Sequence, residues 1–166
     1  MLRLHDSATQ RIEPLQVVRP GEVSIYVCGP TVYDLPHLGH GRSVLVYDIL
    51  RRWLLASGLT VHFVSNITDV DDKIVERARL VGQEPADLAR HFEQEWWRAV
   101  DAPGALRPDQ APRATEYLDA MVALIEKLVA RGAAYRTEDG VYFRTAAVGD
   151  CGRLSGQAGQ DRQAGA

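Results

Sequence analysis

A run of β-branched and aromatic residues, "EVSIYVCG", ends at Gly29. It is followed by the helical period of "RSVLVYDILRRWLLASG" and then by a second such run, "LTVHFVSNIT". Strand, helix and strand within about 40 residues leave a chain few choices, because the second strand must return beside the first. The unit reads as a βαβ crossover, right-handed by the general rule, in a parallel sheet. The predicted fold class is therefore α/β, with any ligand site outside the carboxyl ends of the strands. The first run reads as a buried strand. Val44, Leu45, Asp48, Ile49, Arg52 and Trp53 recur at three-to-four spacing and read as a helix, with Gly58 as the stop.

Past "NITD", the stretch "VDDKIVERARLVG" predicts a short helix ended by Gly82, and "EPADLARHFEQEWWRAVDA" a longer one with Pro85 in its first turn. "PGALRPDQAP" is a loop. "RATEYLDAMVALIEKLVARG" predicts an amphipathic helix with Tyr117, Met121, Leu124, Ile125, Leu128 and Val129 as its apolar stripe and Gly132 as its cap. "AAYRTEDGVYFRT" reads as a hairpin around Asp139-Gly140. The Gly/Gln/Ala-rich tail from Gly149 is expected to be flexible.

Composition narrows the function classes. Of 166 residues, 46% are hydrophobic and 25% charged, an ordinary balance for one globular domain. The formal net charge of -3 gives no electrostatic support for a nucleic-acid surface. Two cysteines, Cys28 and Cys151, lie far apart without a CxxC pair, so a disulfide framework is not expected and a reducing compartment is. The start "MLRLHDSATQ" lacks a signal-peptide core, and no uncharged apolar run approaches the ~18 residues of a membrane span. The expected location is the cytoplasm, with no membrane partner.

Chemistry concentrates in "CGPTVYDLPHLGH", residues 28–40. Cys28 and Gly29 end the first strand, where a switch-point site would open. His37 and His40 stand at the entry of the next helix, whose free N–H groups and positive end favour phosphate. Gly39 allows close approach of backbone or nucleotide. Imidazoles there can donate to a phosphate chain as its charge shifts in adenylyl transfer. Plainer readings stand beside these: a polar helix cap for the histidines, a small buried hydrophobe for Cys28. Asp69, Asp71 and Asp72 of "DVDD" read as helix-capping acids before they read as a metal site. Trp96 and Trp97 are adjacent on a helix and point apart, so a packing role fits at least one of them better than base stacking.

"CGPTVYDLPHLGH" resembles the signature of the cysteine–tRNA ligase family, in which "HLGH" is the form taken by the class I synthetase HIGH motif. "NITDVDDKI" and "RPDQAPRATEYL" are similar to the same family in order and spacing. The resemblance runs from about Arg3 to the "LSGQ" of the tail. It implies a Rossmann-like catalytic half with a mostly helical connective insertion, divided as residues 1–82, 83–148 and a tail 149–166. It implies cysteine, ATP with magnesium and tRNA(Cys) as partners, cysteinyl-adenylate as intermediate, and zinc as cofactor. Residue by residue, Cys28 matches a zinc ligand, Gly29, Thr31 and Thr68 match the cysteine pocket, and His37, Gly39 and His40 match the ATP-binding and adenylation positions.

The resemblance also marks what is missing. A zinc cage takes three or four protein ligands, and Cys28 is one. Cys151 matches no ligand position. The other ligands and the KMSKS loop belong to a second catalytic half in the family. Three readings follow: a piece of a cysteine–tRNA ligase, a standalone paralogue acting on cysteine or another small substrate, and a non-catalytic interaction module. The missing half would come from the chain itself by self-association or from a second polypeptide. In each reading Cys28 and the His37–His40 entry are expected to face one crevice.

Overall fold

The computed structural model describes residues 2–149 and 154. Cys151 and nearly all of the tail expected to be flexible lie outside them. The chain divides into two compact units, residues 17–118 and residues 2–16 with the described residues from 119 onward.

The first unit holds the crossover. Strand β3 (Glu22–Val27) and strand β4 (Thr60–Ser65) pair parallel and in register from Glu22 opposite Thr60 to Val27 opposite Ser65. Helix α1 (Leu38–Ala56) connects them. It ends where Gly58 takes φ +81, a left-handed conformation that costs an L side chain energy and glycine almost nothing. Helix α2 (Asp72–Val81) starts on Asp71, whose carboxylate accepts from the Lys73 N–H at 2.9 Å, so the capping reading holds for that acid. Asp69 instead takes Thr115 N–H and Oγ. Helix α3 (Pro85–Asp101) opens with its proline in the first turn. The chain then returns along β4, where bridges join Val64 to Gln110 and Ile67 to Arg113, both parallel. β4 is thus flanked on both sides. Beneath it Val32, Ile67, Ile74, Ala78, Leu88 and Ala89 form the core, with Tyr33, Phe92, Trp96 and Trp97 packed against it. Both tryptophans therefore pack, as expected for at least one.

One burial expectation fails here. β3 is not a buried strand: Val23 is buried, but Tyr26 on the other face is exposed. Among the described residues β4 is the one strand that pairs with it along its length, and the residues facing away from the core stay exposed or half-exposed. In α1 the residues at three-to-four spacing do not form a buried stripe. Leu45, Ile49, Arg52 and Trp53 are exposed, while Arg51 and Leu54 are buried. The cause is electrostatic. Arg51 donates to the Arg107 carbonyl at 2.6 Å and to Asp109, stacks 5.5 Å over the Phe63 ring, and is drawn inside by these partners. The second oxygen of Asp109 accepts from the Phe63 backbone N–H at 2.7 Å. Asp48, one turn before, accepts from Leu106 N and Arg52 Nε, and Arg107 forks onto Asp101. Loop 102–109 is held to α1 and β4 by this set.

The second unit contains a hairpin of β1 (Arg3–Asp6) and β2 (Arg11–Pro14), absent from the sequence reading. Its strands "RLHD" and "RIEP" carry too many charges for an alternating pattern to show. Helix α4 (Leu118–Ala130) begins after a 3-10 turn at Ala114–Tyr117 and leads to the expected hairpin, β5 (Ala134–Arg136) with β6 (Val141–Phe143). The stripe on α4 is real as a pattern but contributes no buried residue. Amphipathicity marks the face that would be buried; burial also requires a covering surface. No helix among the described residues is long and apolar enough to cross a membrane.

Asp109→Ala removes the carboxylate of a guanidinium that is 11% exposed and orphans the Phe63 N–H. It should cost about 3 kcal/mol, seen as a lower urea midpoint at unchanged slope. Asp109→Asn, which still accepts from Phe63, should lose less.

Candidate functional site

After Val27 and Ser65 the β3–β4 ladder is interrupted, and it resumes with Thr31 opposite Thr68. Three residues on the first arm, Cys28, Gly29 and Pro30, face two on the second, Asn66 and Ile67. This is a one-residue bulge, a device that bends a strand and re-aims its side chains. Backbone bonds close it on the far side: Thr68 N donates to Pro30 O at 2.9 Å, and Val32 N to Thr68 O at 3.1 Å. Inside it, Asn66 Oδ1 accepts from Gly29 N at 2.9 Å and from Tyr26 OH at 3.0 Å. Asn66 Nδ2 donates to Thr68 Oγ at 3.1 Å. Gly29 has to be glycine for reasons of space. A Cβ there would stand 1.6 Å from the Asn66 carbonyl oxygen.

Cys28 rides on this bulge with its side chain exposed, its thiol 3.8 Å from the Gly29 carbonyl. Among the described residues no three His, Cys, Asp or Glu side chains converge into a metal-binding group. One thiolate does not fit a zinc cage, and no step is routed through zinc below.

The start of α1 is capped by histidines in both directions. His37 Nδ1 accepts from Gly39 N at 3.0 Å, and His40 Nδ1 accepts from His37 N at 3.1 Å. The rings stack at 3.9 Å between centroids. Gly39 makes room for the His37 ring, since a Cβ would lie 2.8 Å from its Cε1. With Nδ1 accepting in both rings, the tautomer these bonds select carries its proton on Nε2. Two outward N–H donors result, on a helix whose first turn holds no acidic residue to neutralise its positive end.

The sequence reading expected Cys28 and these histidines in one crevice. A cavity between the sheet, α1 and α3 is lined by Cys28 and Gly29 but by neither histidine; His40 meets only its rim, edge-on to Trp96 at 5.8 Å. At about 60 Å³ the cavity admits water, far below the roughly 300 Å³ at which ligand pockets begin. Thr31 and Thr68 are brought together as ladder partners. Asn66, which joins Gly29 to Thr68, was not singled out from sequence. Its signal was present in "NITD", directly after the strand, where an amide serves as a backbone surrogate.

A parallel crossover with a polar bulge at its carboxyl edge and a histidine-capped helix start defines an α/β half of Rossmann-like topology. Its fold is shared with a chain of the LeuRS–tRNA–LeuAMS ternary complex of Agrobacterium radiobacter K84 (TM-score 0.63, 23% identity, 74% of this chain and 16% of that one). It is also shared with Mycobacterium tuberculosis methionyl-tRNA synthetase in complex with methionyl-adenylate (TM-score 0.59, 24% identity, 68% and 23%). The family description "tRNA synthetases class I (C) catalytic domain" matches residues 14–166, and the chain belongs to that family. Cysteine–tRNA ligase of Alkalilimnicola ehrlichii is 46% identical over 167 residues, 100% of this chain and 36% of its own length. That of Thermus thermophilus is 45% identical, covering 99% and 36%, and that of Pyrococcus furiosus 42%, covering 100% and 35%. The chain spans about a third of the length of these curated relatives.

His40 is held below the ordinary imidazole value of 6.5, first by burial and then by the neighbouring His37 ring. Folding therefore favours the neutral ring. Its contribution is complete above pH 6.5 and is lost as pH falls through the lower folded-state value. Proton NMR of the ring should place the His40 midpoint below 6.5, and His37→Ala should move it back toward 6.5.

Proposed function

We propose that this chain carries the HLGH half of a cysteine–tRNA ligase catalytic site, which activates cysteine with magnesium-bound ATP and passes it to tRNA(Cys). The observation that carries the reading is the double histidine cap. Its two rings, accepting at Nδ1, leave Nε2–H donors at the unneutralised end of a 19-residue helix. A phosphate chain lying there would meet donors already oriented, with no reorganisation left for the moment of reaction. In this reading His37 and His40 are the catalytic donors and, with Gly39, the ATP contacts. Gly29, Thr31 and Thr68 line the cysteine pocket. Residues 1–82 form the first nucleotide-binding half and 83–148 the connective insertion.

The relatives named cysteine–tRNA ligase support the amino acid, and the neighbours holding tRNA or an adenylate support the partners. Cys28 is proposed as one zinc ligand, the rest coming from outside the described residues. Such a metal would select a thiolate over an alcohol, because zinc is thiophilic.

Two measurements test this. Isothermal titration with ATP and magnesium should show weak binding that His40→Ala removes, while cysteine-dependent ATP–pyrophosphate exchange stays very low. Losing even one transition-state donor costs about 10²–10³ in rate. Nucleotide binding unchanged in His40→Ala would sink the assignment of the helix start. Robust exchange requiring cysteine would show a self-sufficient enzyme. Elemental analysis of chelator-free protein should find well below one zinc per chain. One zinc per monomer would mean a complete cage, and one per dimer a cage shared between copies.

A further inference from the structure

We propose that Asn66 is a positioning residue: it sets the polarity of the Thr68 hydroxyl, so that Thr68 presents a proton to an acceptor oxygen of the aminoacyl ligand. This rests on the reading of Thr68 as part of the amino-acid pocket.

The geometry of the bulge allows the amide one orientation. Gly29 N–H can only donate, and it points at Asn66 from 2.9 Å. An oxygen must therefore stand there, and Tyr26 OH makes a second bond to the same atom. A flipped amide would set NH2 against N–H, an opposition a buried or half-buried group does not tolerate. The amide nitrogen is thereby turned to Thr68 and occupies one lone pair of its hydroxyl, at 3.1 Å. Thr68 donates its own proton to no protein acceptor among the described residues. The proton is free for a ligand, on a residue whose backbone is clamped on both sides by Pro30 and Val32. The fixed direction matters for selection. A carbonyl or carboxylate oxygen finds a donor, whereas an ammonium group finds a hydroxyl with one lone pair already used.

Aspartate at position 66 has nearly the same shape and reverses the arrangement. One oxygen still accepts from Gly29 N–H, and the other now takes the Thr68 proton. Asn66→Asp thus keeps the bulge and removes the donor.

The test uses the whole chain and the cysteinyl-sulfamoyl analogue of cysteinyl-adenylate as probe, titrated calorimetrically. Wild type should bind. Asn66→Asp and Thr68→Val should each weaken binding by about tenfold, the worth of one hydrogen bond. The double variant should be no weaker than either single one, because both remove the same donor. Losses that multiply in the double variant, or an Asn66→Asp variant that binds like wild type, would overturn the inference. If wild type does not bind the probe, the pocket reading fails, and the polarity of Thr68 is decided separately by NMR. Its hydroxyl proton should exchange rapidly with water in wild type and become protected in Asn66→Asp. Slow exchange already in wild type, a measurement that needs no variant to fold, would mean that the proton is held inside the protein and would refute the proposal.

Discussion

Asp109 is the residue on which the arrangement of α1, β4 and the return loop depends. One of its oxygens holds the Arg51 guanidinium and the other holds the backbone N–H of Phe63 in β4. The two bonds fasten a helix, a strand and a loop at a single carboxylate. Arg51 is buried because this acceptor, the Arg107 carbonyl and the Phe63 ring are in place together. Taking a guanidinium out of water is unfavourable by several kcal/mol unless its donors are met. The contact therefore specifies one seating of α1 more than it adds stability. The histidine cap at the other end of the helix inherits that seating.

The crossover was legible in the sequence because its signals are local. β-branched residues of "EVSIYV", the helical period after His40, and Gly58 at the stop act within a few residues of themselves. The same holds for Asp71 at the start of α2 and for Pro85 in the first turn of α3. What was not legible depends on partners distant in the chain. The three-to-four spacing in α1 marks a helix but carries no sign that Arg51 is buried while Ile49 and Trp53 are exposed. The acid that draws Arg51 inside lies 58 residues further on. The β1–β2 hairpin escaped for a different reason: its strands are short, charged and exposed on nearly every residue.

The candidate site divides along the same line. His37, Gly39 and His40 form one local motif, and the spacing of three that drew attention to them is the spacing of a capping box. Thr31 and Thr68 meet only through the ladder, and Asn66 only through the bulge, so neither relation is visible without the pairing register. Cys28 was expected beside the histidines because both lie at the carboxyl end of β3. The bulge gives Cys28 an exposed place of its own, and the intervening segment "GPTVYDLP" carries the chain to the helix start. The small cavity that Cys28 lines includes neither histidine in its wall.

The single extra residue at 28–30 makes this segment sensitive to length in a way that composition is not. Side chains alternate faces along a strand with a period of two, so parity is a structural quantity. Deleting one residue from Cys28–Pro30 would let the ladder run through without a break. Thr31 would still fall opposite Thr68, in continuous register with Val27 opposite Ser65, and the bulge that turns the Gly29 N–H to the Asn66 side chain would be lost. Chains built on this crossing can therefore vary the chemistry of the three positions within the limits of space, but their number is set by counting. An insertion or deletion here changes which residues form the site before it changes how stable the protein is.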